Sequence, residues 1–194
     1  MSPPLRPSWQ GLTDEQLVGI CRQWGKEAFG ELVRRHRRLL VGIAYRMSGD
    51  AMLAEDAAQD ACIRAWRRLP SFQPRGAGSF RAWLCRIATN VAIDRLRRSR
   101  PTVPLQDLDL TGSVRPDDAY LRKEKAEAVQ SAILRLPEAS RAALILREYE
   151  GLSYREIAET LGIPVGTVMS RLHYARGRLK MELADQAPVR REQT

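Results

Sequence analysis

The run Gly151-Leu-Ser-Tyr-Arg-Glu-Ile-Ala-Glu-Thr-Leu-Gly-Ile-Pro-Val-Gly-Thr-Val-Met-Ser-Arg-Leu172 restricts its part of the chain to two short helices joined by a tight turn. Ser153 and Glu156 have the Ser-x-x-Glu spacing of a capping box, which satisfies amide donors left open in a first helical turn. Ile157, Leu161, Ile163, Val168 and Leu172 supply inward apolar positions, and Ala158 is small enough for a close helix crossing. Gly162 can take the positive φ of a sharp turn. Pro164 stands where the second helix begins and its missing N–H costs nothing. The pattern is a helix-turn-helix, whose second helix is the usual reader of a DNA major groove.

An ordinary helical hairpin would show the same apolar spacing, so the outward face decides. Placing Val168, Leu172, Ala175 and Leu179 inward at 3.6 residues per turn points Thr167, Ser170, His173, Tyr174 and Gly177 outward. Arg171, Arg176, Arg178 and Lys180 flank that face, and no acid lies between Gly162 and Met181. Short polar side chains between cations suit base edges bounded by phosphates.

The charge is unevenly placed. Residues 1–63 carry eight acids and eight bases, whereas Arg64 to Arg100 carry ten arginines and one acid, Asp94. That block alone supplies +9, equal to the net charge of the whole chain. A cationic concentration of this kind implies a polyanion partner, against the plainer reading of a solvated arginine-rich face. No segment has the roughly 20 successive apolar residues needed to cross a bilayer, and the proline-rich start is not a secretory signal. Cys21, Cys62 and Cys85 have neither metal-ligand nor redox-motif spacing, and read as reduced core thiols of a cytoplasmic protein. His36 and His173 complete no metal cluster with them, and no catalytic constellation, metal site or cofactor site is found.

The expected architecture is all-α: two small helical domains joined by a flexible linker. Residues 1–10 read as a disordered lead, 11–100 as the first domain, 101–117 as the linker, 118–184 as the second domain and 185–194 as a polar tail. In the first domain, a helix opened by the Thr13/Gln16 capping box runs to about Trp24. Others follow over about 27–47, 51–69 and 79–98, the last two separated by a Pro- and Gly-containing loop. In the second domain helices are expected over about 117–136, 138–150, 153–161 and 164–183.

Two faces of the first domain stand out. Asp56, Gln59 and Asp60 share one side of the third helix, opposite a stripe of Ala54, Ala58, Ala61 and Ala65. The helix macrodipole explains acids in a first turn but not Gln59 and Asp60 two turns in, so a patch for a basic protein partner is the preferred reading. On the fourth helix Phe80, Trp83, Leu84, Ile87 and Val91 form the inward stripe. Arg86, Asn90, Ile93 and Arg97 share another face, with Arg81 near the loop. Trp66, Phe80 and Trp83 read as core. Phe72, in the loop beside Arg75-Gly-Ala-Gly78, is the candidate platform for an unstacked base.

Taken in order, these pieces resemble a bacterial RNA polymerase sigma factor of the extracytoplasmic-function group of the sigma-70 family. Asp56-Ala-Ala-Gln-Asp-Ala-Cys-Ile-Arg-Ala-Trp66 is similar to the region 2 helix that docks on the β′ coiled coil of core polymerase. Phe80-Arg-Ala-Trp-Leu-Cys-Arg-Ile-Ala-Thr-Asn-Val-Ala-Ile-Asp94 is similar to the next helix, which with its loop opens and reads the −10 element. Leu136-Pro137, Glu150-Gly-Leu-Ser-Tyr-Arg-Glu-Ile-Ala158 and Val165-Gly-Thr-Val-Met-Ser-Arg-Leu172 resemble region 4, which meets the β flap and reads the −35 element. The match spans about residues 12–182, with a linker in place of a region 3 domain.

The resemblance implies a non-enzymatic specificity subunit with four sets of contacts. Asp56, Gln59 and Asp60 would bind core polymerase. Phe72, Arg75, Arg81, Arg86, Asn90 and Arg97 would hold the melted −10 strand. Thr167, Ser170, Arg171, His173, Tyr174 and Arg176 would read the −35 duplex. Asp107, Asp109, Asp117 and Asp118 would thread into polymerase as an RNA mimic or serve as a plain tether. Met169 and Tyr174 stand where many members carry Lys or Arg, which implies a different upstream sequence. The loop from Phe72 to Phe80 is slightly longer than in some members. No extra C-terminal domain is seen, so regulation is expected from outside the chain or from transcription of its own gene, and the resemblance implies an anti-sigma protein as the outside regulator. Two other readings stay open: a stand-alone helix-turn-helix regulator, which would need neither the Arg64–Arg100 block nor the acidic face, and an RNA-binding adaptor using the basic helix alone.

Overall fold

The computed structural model describes residues 9, 11–98 and 116–185. Its first helix, α1, spans Asp14–Ser48 and opens on the Thr13/Gln16 capping box, in which each side chain bonds the other residue's amide. Two helices were expected here. They run together, and the break survives as a kink at Gly25, whose backbone (φ 53°, ψ −125°) is non-helical. At its other end α1 stops at Gly49, which adopts φ 74° and donates its N–H to the Tyr45 carbonyl at 2.7 Å. Asp50 then caps α2 (Ala51–Arg68) by accepting the Leu53 N–H at 3.0 Å. Pro70 follows in a single 3-10 turn, Leu69–Ser71, and α3 occupies Ser79–Arg98.

The second unit comprises α4 (Pro116–Leu134), α5 (Glu138–Glu148), α6 (Tyr154–Leu161) and α7 (Val165–Asp185). The Ser153/Glu156 capping box forms as read, and Gly162 ends α6 with φ 66°. Ile157, Val168, Leu172 and Ala175 are buried where α6 crosses α7. Among the described residues all regular elements are helices.

In the first unit α1, α2 and α3 pack on one another. The alanine stripe of α2 (Ala54, Ala57, Ala58, Ala61 and Ala65) is buried, and its short side chains bring α2 close to its neighbours. Leu32, Leu40, Ile43, Met47 and Phe80 fill the space behind it. The second unit does not hang free. Both α4 and α5 rest on α1, α6 rests on α3, and one apolar core runs through the two units.

Three boundaries move. Pro116 and Asp117, assigned to the linker, belong to α4, while 101–115 lie outside the described residues, and with them Asp107 and Asp109. Trp9, assigned to a disordered lead, packs against the core, and its carbonyl accepts from Arg35 at 2.8 Å. Asp185, assigned to the tail, closes α7.

Gly49 is held to glycine twice over. Its φ lies in the left-handed region, and an added Cβ would come within 2.5 Å of Leu134 Cδ1 on α4. Gly49→Ala is therefore expected to lose about 1–2 kcal/mol from backbone conformation alone, read as a lower urea midpoint. A loss under about 0.5 kcal/mol, the range of an indifferent surface change, would show that the α1 terminus does not constrain the fold.

Candidate nucleic-acid interface and docking face

The acidic face of α2 is built as expected but is not unpartnered. Asp56 and Gln59 are exposed and Asp60 is half-buried. Arg95, on α3, reaches across with Nη2 2.7 Å from Asp60 Oδ2 and Nη1 3.2 Å from Asp56 Oδ2. The hydrogen bond to Asp60 holds the Arg95 guanidinium pKa above its ordinary value. Arg95 thus fixes the two carboxylates in register while leaving their outer lone pairs to solvent. Sequence spacing gave no sign of it. Two apolar side chains frame this acidic patch: Met52 is 75% exposed and Ile63 is 43% exposed. Met52, Asp56, Gln59 and Ile63 follow one another at four-, three- and four-residue steps, a single stripe along the helix.

On α3 the outward face is as read. Arg86, Asn90 and Arg97 are exposed. No partner is found for Arg86 or Asn90 among the described residues, whereas Arg97 pairs with Glu138 of α5 at 3.0 Å. Arg81 is further from expectation. Its guanidinium pairs with the Glu150 carboxylate at 2.7 Å and also donates to the Glu150 carbonyl. Glu150 is itself buried, and burial pushes its carboxyl pKa up against the opposing pull of Arg81 and Arg46. Arg75 is exposed in the loop, where its backbone N–H bonds Ser79 Oγ at 3.2 Å.

Phe72 requires a correction. Read as a platform open to an unstacked base, it is 8% exposed and packed against Phe80 and Trp83, with ring centroids 5.7 and 4.9 Å apart. The loop is short of apolar cover elsewhere, so its one aromatic ring is drawn into the core and fastens the loop there. Glu15, from the first turn of α1, completes the anchorage by accepting the Phe80 N–H at 3.2 Å at the start of α3. Its side-chain reach across 65 positions is invisible to local sequence patterns.

On α7 the outward set is in place. Ser170, His173, Tyr174 and Arg176 are exposed, and Thr167 and Arg171 are half-buried at the edge. Ser170 Oγ donates to the Thr167 carbonyl at 3.0 Å, which leaves its lone pairs outward. Arg176 leans back onto Glu148 of α5 at 2.7 Å, a hydrogen bond that raises its pKa. Both partners are about half exposed, so the pair is weak and open to exchange. Met169, at 54% exposure, adds an apolar contact to this face. Among the described residues no cluster of His, Cys, Asp and Glu could hold a metal ion. Cys21 and Cys85 are buried free thiols, pushed up to about 11 and about 12 by desolvation.

Phe72→Ala should act first on stability, losing about 3–5 kcal/mol as expected for a buried aromatic truncated to a cavity. Chemical denaturation measures this directly. A loss below 1 kcal/mol would return Phe72 to the surface role.

Known proteins match this arrangement closely. The Sigma-70 region 2 family profile matches residues 32–102, and the Sigma-70, region 4 profile matches 126–179. The extracytoplasmic-function RNA polymerase sigma factor SigW of Bacillus subtilis is 37% identical over 173 residues, covering 82% of this chain and 91% of its own length. The RNA polymerase sigma-H factor of Pseudomonas aeruginosa is 41% identical over 175 residues, covering 84% of this chain and 90% of its own. Among solved structures, CnrH in complex with the cytosolic domain of CnrY superposes with a TM-score of 0.68 at 30% identity, over 89% of this chain and 97% of that one. With matches of this extent at both ends, the chain belongs to the extracytoplasmic-function group of the sigma-70 family, alternative sigma factors that bind core RNA polymerase and direct transcription initiation at promoters.

Proposed function

We propose that this sigma factor divides its work among three helices: α2 docks on core polymerase, α3 captures the melted −10 strand and α7 reads the −35 duplex. The observation that carries the reading is the presence of three chemically distinct exposed faces. An acidic and apolar stripe on α2 suits a basic protein surface such as the β′ coiled coil. A cation and amide face on α3 suits a single strand, with Arg86 for phosphate and Asn90 for a base edge. A short polar face on α7, flanked by cations, suits a major groove. The stand-alone regulator would need the third of these only. No described helix is long and apolar enough to cross a membrane, and the work is assigned to the cytoplasm. An anti-sigma factor is the proposed regulator. The sigma factor RpoE of Bartonella quintana, with a TM-score of 0.65 at 25% identity over 80% of this chain and 96% of that one, was solved in complex with the anti-sigma factor NepR.

Docking is best tested at exposed positions with no hydrogen bond or ion pair among the described residues. Reversing Asp56 and Asp60 to Lys would set like charges against Arg95 as well as against a basic partner. Met52→Ala and Gln59→Lys strike the same stripe without that complication. Each should weaken holoenzyme assembly roughly tenfold, through lost apolar contact or like-charge repulsion, with stability unchanged within about 0.5 kcal/mol. Wild-type affinity for core polymerase in both variants would displace the docking face from α2.

Strand capture is tested by run-off transcription from closed and pre-melted templates. Arg86→Ala and Asn90→Ala should leave polymerase docking intact and depress open-complex formation. Pre-melting should restore part of the loss, because unpairing costs a few kcal/mol that the protein then need not offset. Equal opening of linear promoters by both variants and by wild type would remove α3 from the strand-capturing role.

A further inference from the structure

The rings of Phe72 and Phe80 fix the two ends of the loop before α3, but they do not fix how the chain turns between them. Gln73, Pro74, Arg75, Gly76, Ala77 and Gly78 are all exposed, and the two glycines take φ of 124° and 79°. The shape of this stretch is set at its neck. The Ser79 N–H donates to the Gly76 carbonyl at 3.2 Å, and Ser79 Oγ accepts the Arg75 N–H at 3.2 Å. Gly78, the residue before α3, has no side chain with which to cap the open amides of the first turn. The cap is imported instead from α1. One oxygen of Glu15 accepts both the Phe80 N–H at 3.2 Å and the Ser79 hydroxyl at 3.5 Å. A carboxylate at this end of a helix is also favoured by the macrodipole.

Glu15 stands on a braced turn. Asp14 and His36 are 22 positions apart, which would be about 33 Å along a straight helix. His36 Nε2 nevertheless lies 2.6 Å from Asp14 Oδ2, because the kink at Gly25 folds α1 back on itself. Arg35 ties down the same turn, donating to the Leu12 carbonyl at 2.7 Å and to the Asp14 carboxylate at 3.3 Å. The start of α1 is thereby a fixed support, and Glu15 carries it to the neck of the loop.

We propose that Glu15 is a positioning residue for base selection: by closing the neck of the 73–78 loop, it fixes where the loop backbone and Arg75 meet an unstacked base of the melted strand. The proposal rests on the assignment of α3 and its loop to that strand. Attraction of phosphates by Arg86 does not depend on the shape of the loop. Recognition of a base edge does, since its donors and acceptors must be held to within about 0.5 Å. Loss of Glu15 should therefore flatten base preference while leaving general strand affinity in place.

The test is selection by reconstituted holoenzyme from fork DNA that is duplex upstream and single-stranded, with randomised sequence, over the −10 segment. Wild type, Glu15→Ala, Glu15→Gln, Ser79→Ala and Asn90→Ala are compared by sequencing the bound pool, at a temperature where circular dichroism shows each to be folded. Glu15→Ala should lower the enrichment of the preferred base about tenfold at one or two positions. Its affinity for the unselected pool, dominated by phosphates, should stay within about twofold of wild type. Glu15→Gln keeps the accepting oxygen and should recover the wild-type preference. A loss of stability alone cannot change the ratio of bases chosen by folded molecules. Ser79→Ala removes the hydroxyl that joins Glu15 to the Arg75 N–H. It should flatten the same positions, and it carries the test if Glu15→Ala does not fold. Unchanged preference in the Glu15 and Ser79 variants, with flattening by Asn90→Ala, overturns the role of Glu15 and leaves strand capture by α3 standing. Unchanged preference in all of them overturns both. An equal loss of affinity for the unselected pool would make Glu15 merely structural, and overturns the proposal as well.

Discussion

The arrangement turns on the last turn of α1. A helix ends with carbonyls that have no partner within it, and here those ends lie in the middle of the molecule rather than at its surface. Gly49 closes one by its left-handed turn. That carbonyl, at Tyr45, also accepts from Gln130 of the second unit, and those at Arg46 and Met47 are met by Gln130 and Arg141. Arg141 also donates to the Leu134 and Leu136 carbonyls at the end of α4, so one half-buried guanidinium ties two helix ends together. Burial lowers its pKa, the expected consequence of taking a cation away from water. Backbone polar groups that must be satisfied are thus met across the contact of the two units, within the apolar core that runs through both.

That dependence explains which features could be read along the chain. Caps and turns are local: Ser153 with Glu156, Thr13 with Gln16, and the φ of Gly162 are all as the sequence indicates, because each involves residues within a few positions. The inward stripes of α2, α3 and α7 are legible for the same reason, as a helix repeats itself every 3.6 residues. The contacts that were missed join distant positions. Arg95 clamping Asp56 and Asp60, Glu15 capping α3, and Glu150 meeting Arg81 each depend on which helices become neighbours. Phe72 fails for a related reason. A lone aromatic in a polar loop reads as exposed, yet Phe80 and Trp83 offered it an apolar site.

Charge then takes a double meaning. The arginine block from Arg64 to Arg100 reads as a footprint for a polyanion, and the excess of acids between 101 and 161 reads as a separate trait of the second domain. In the folded chain the two are complementary. Arg81 and Arg97 from the block face Glu150 and Glu138 from the acidic stretch. Arg64 is taken by Asp94 at 3.0 Å within the first unit. Arg86 and Asn90, which carry the proposed strand contacts, stay outside these pairs.

The strength of the interdomain pairs follows from where they sit. Arg97 is exposed and Glu138 half-buried at the surface, and such a pair is worth about 0–1 kcal/mol, less as salt rises. Glu150 is different, because its carboxyl is buried and would lose its ion-pair partner, though not the neighbouring Arg46 charge, if Arg81 moved away. Separation of the units must therefore either rehydrate Glu150 or protonate it, while the freed Arg81 gains access to phosphate. A DNA strand supplies the negative charge that Glu150 supplied, so the guanidinium exchanges one anion for another rather than losing one. Among the polar groups, the cost of opening falls on Glu150 and on the Tyr45–Met47 carbonyls, beside the apolar surface that the shared core would expose. The first can be relieved by water once the units part, and the second can be met by any donor that replaces Gln130 and Arg141.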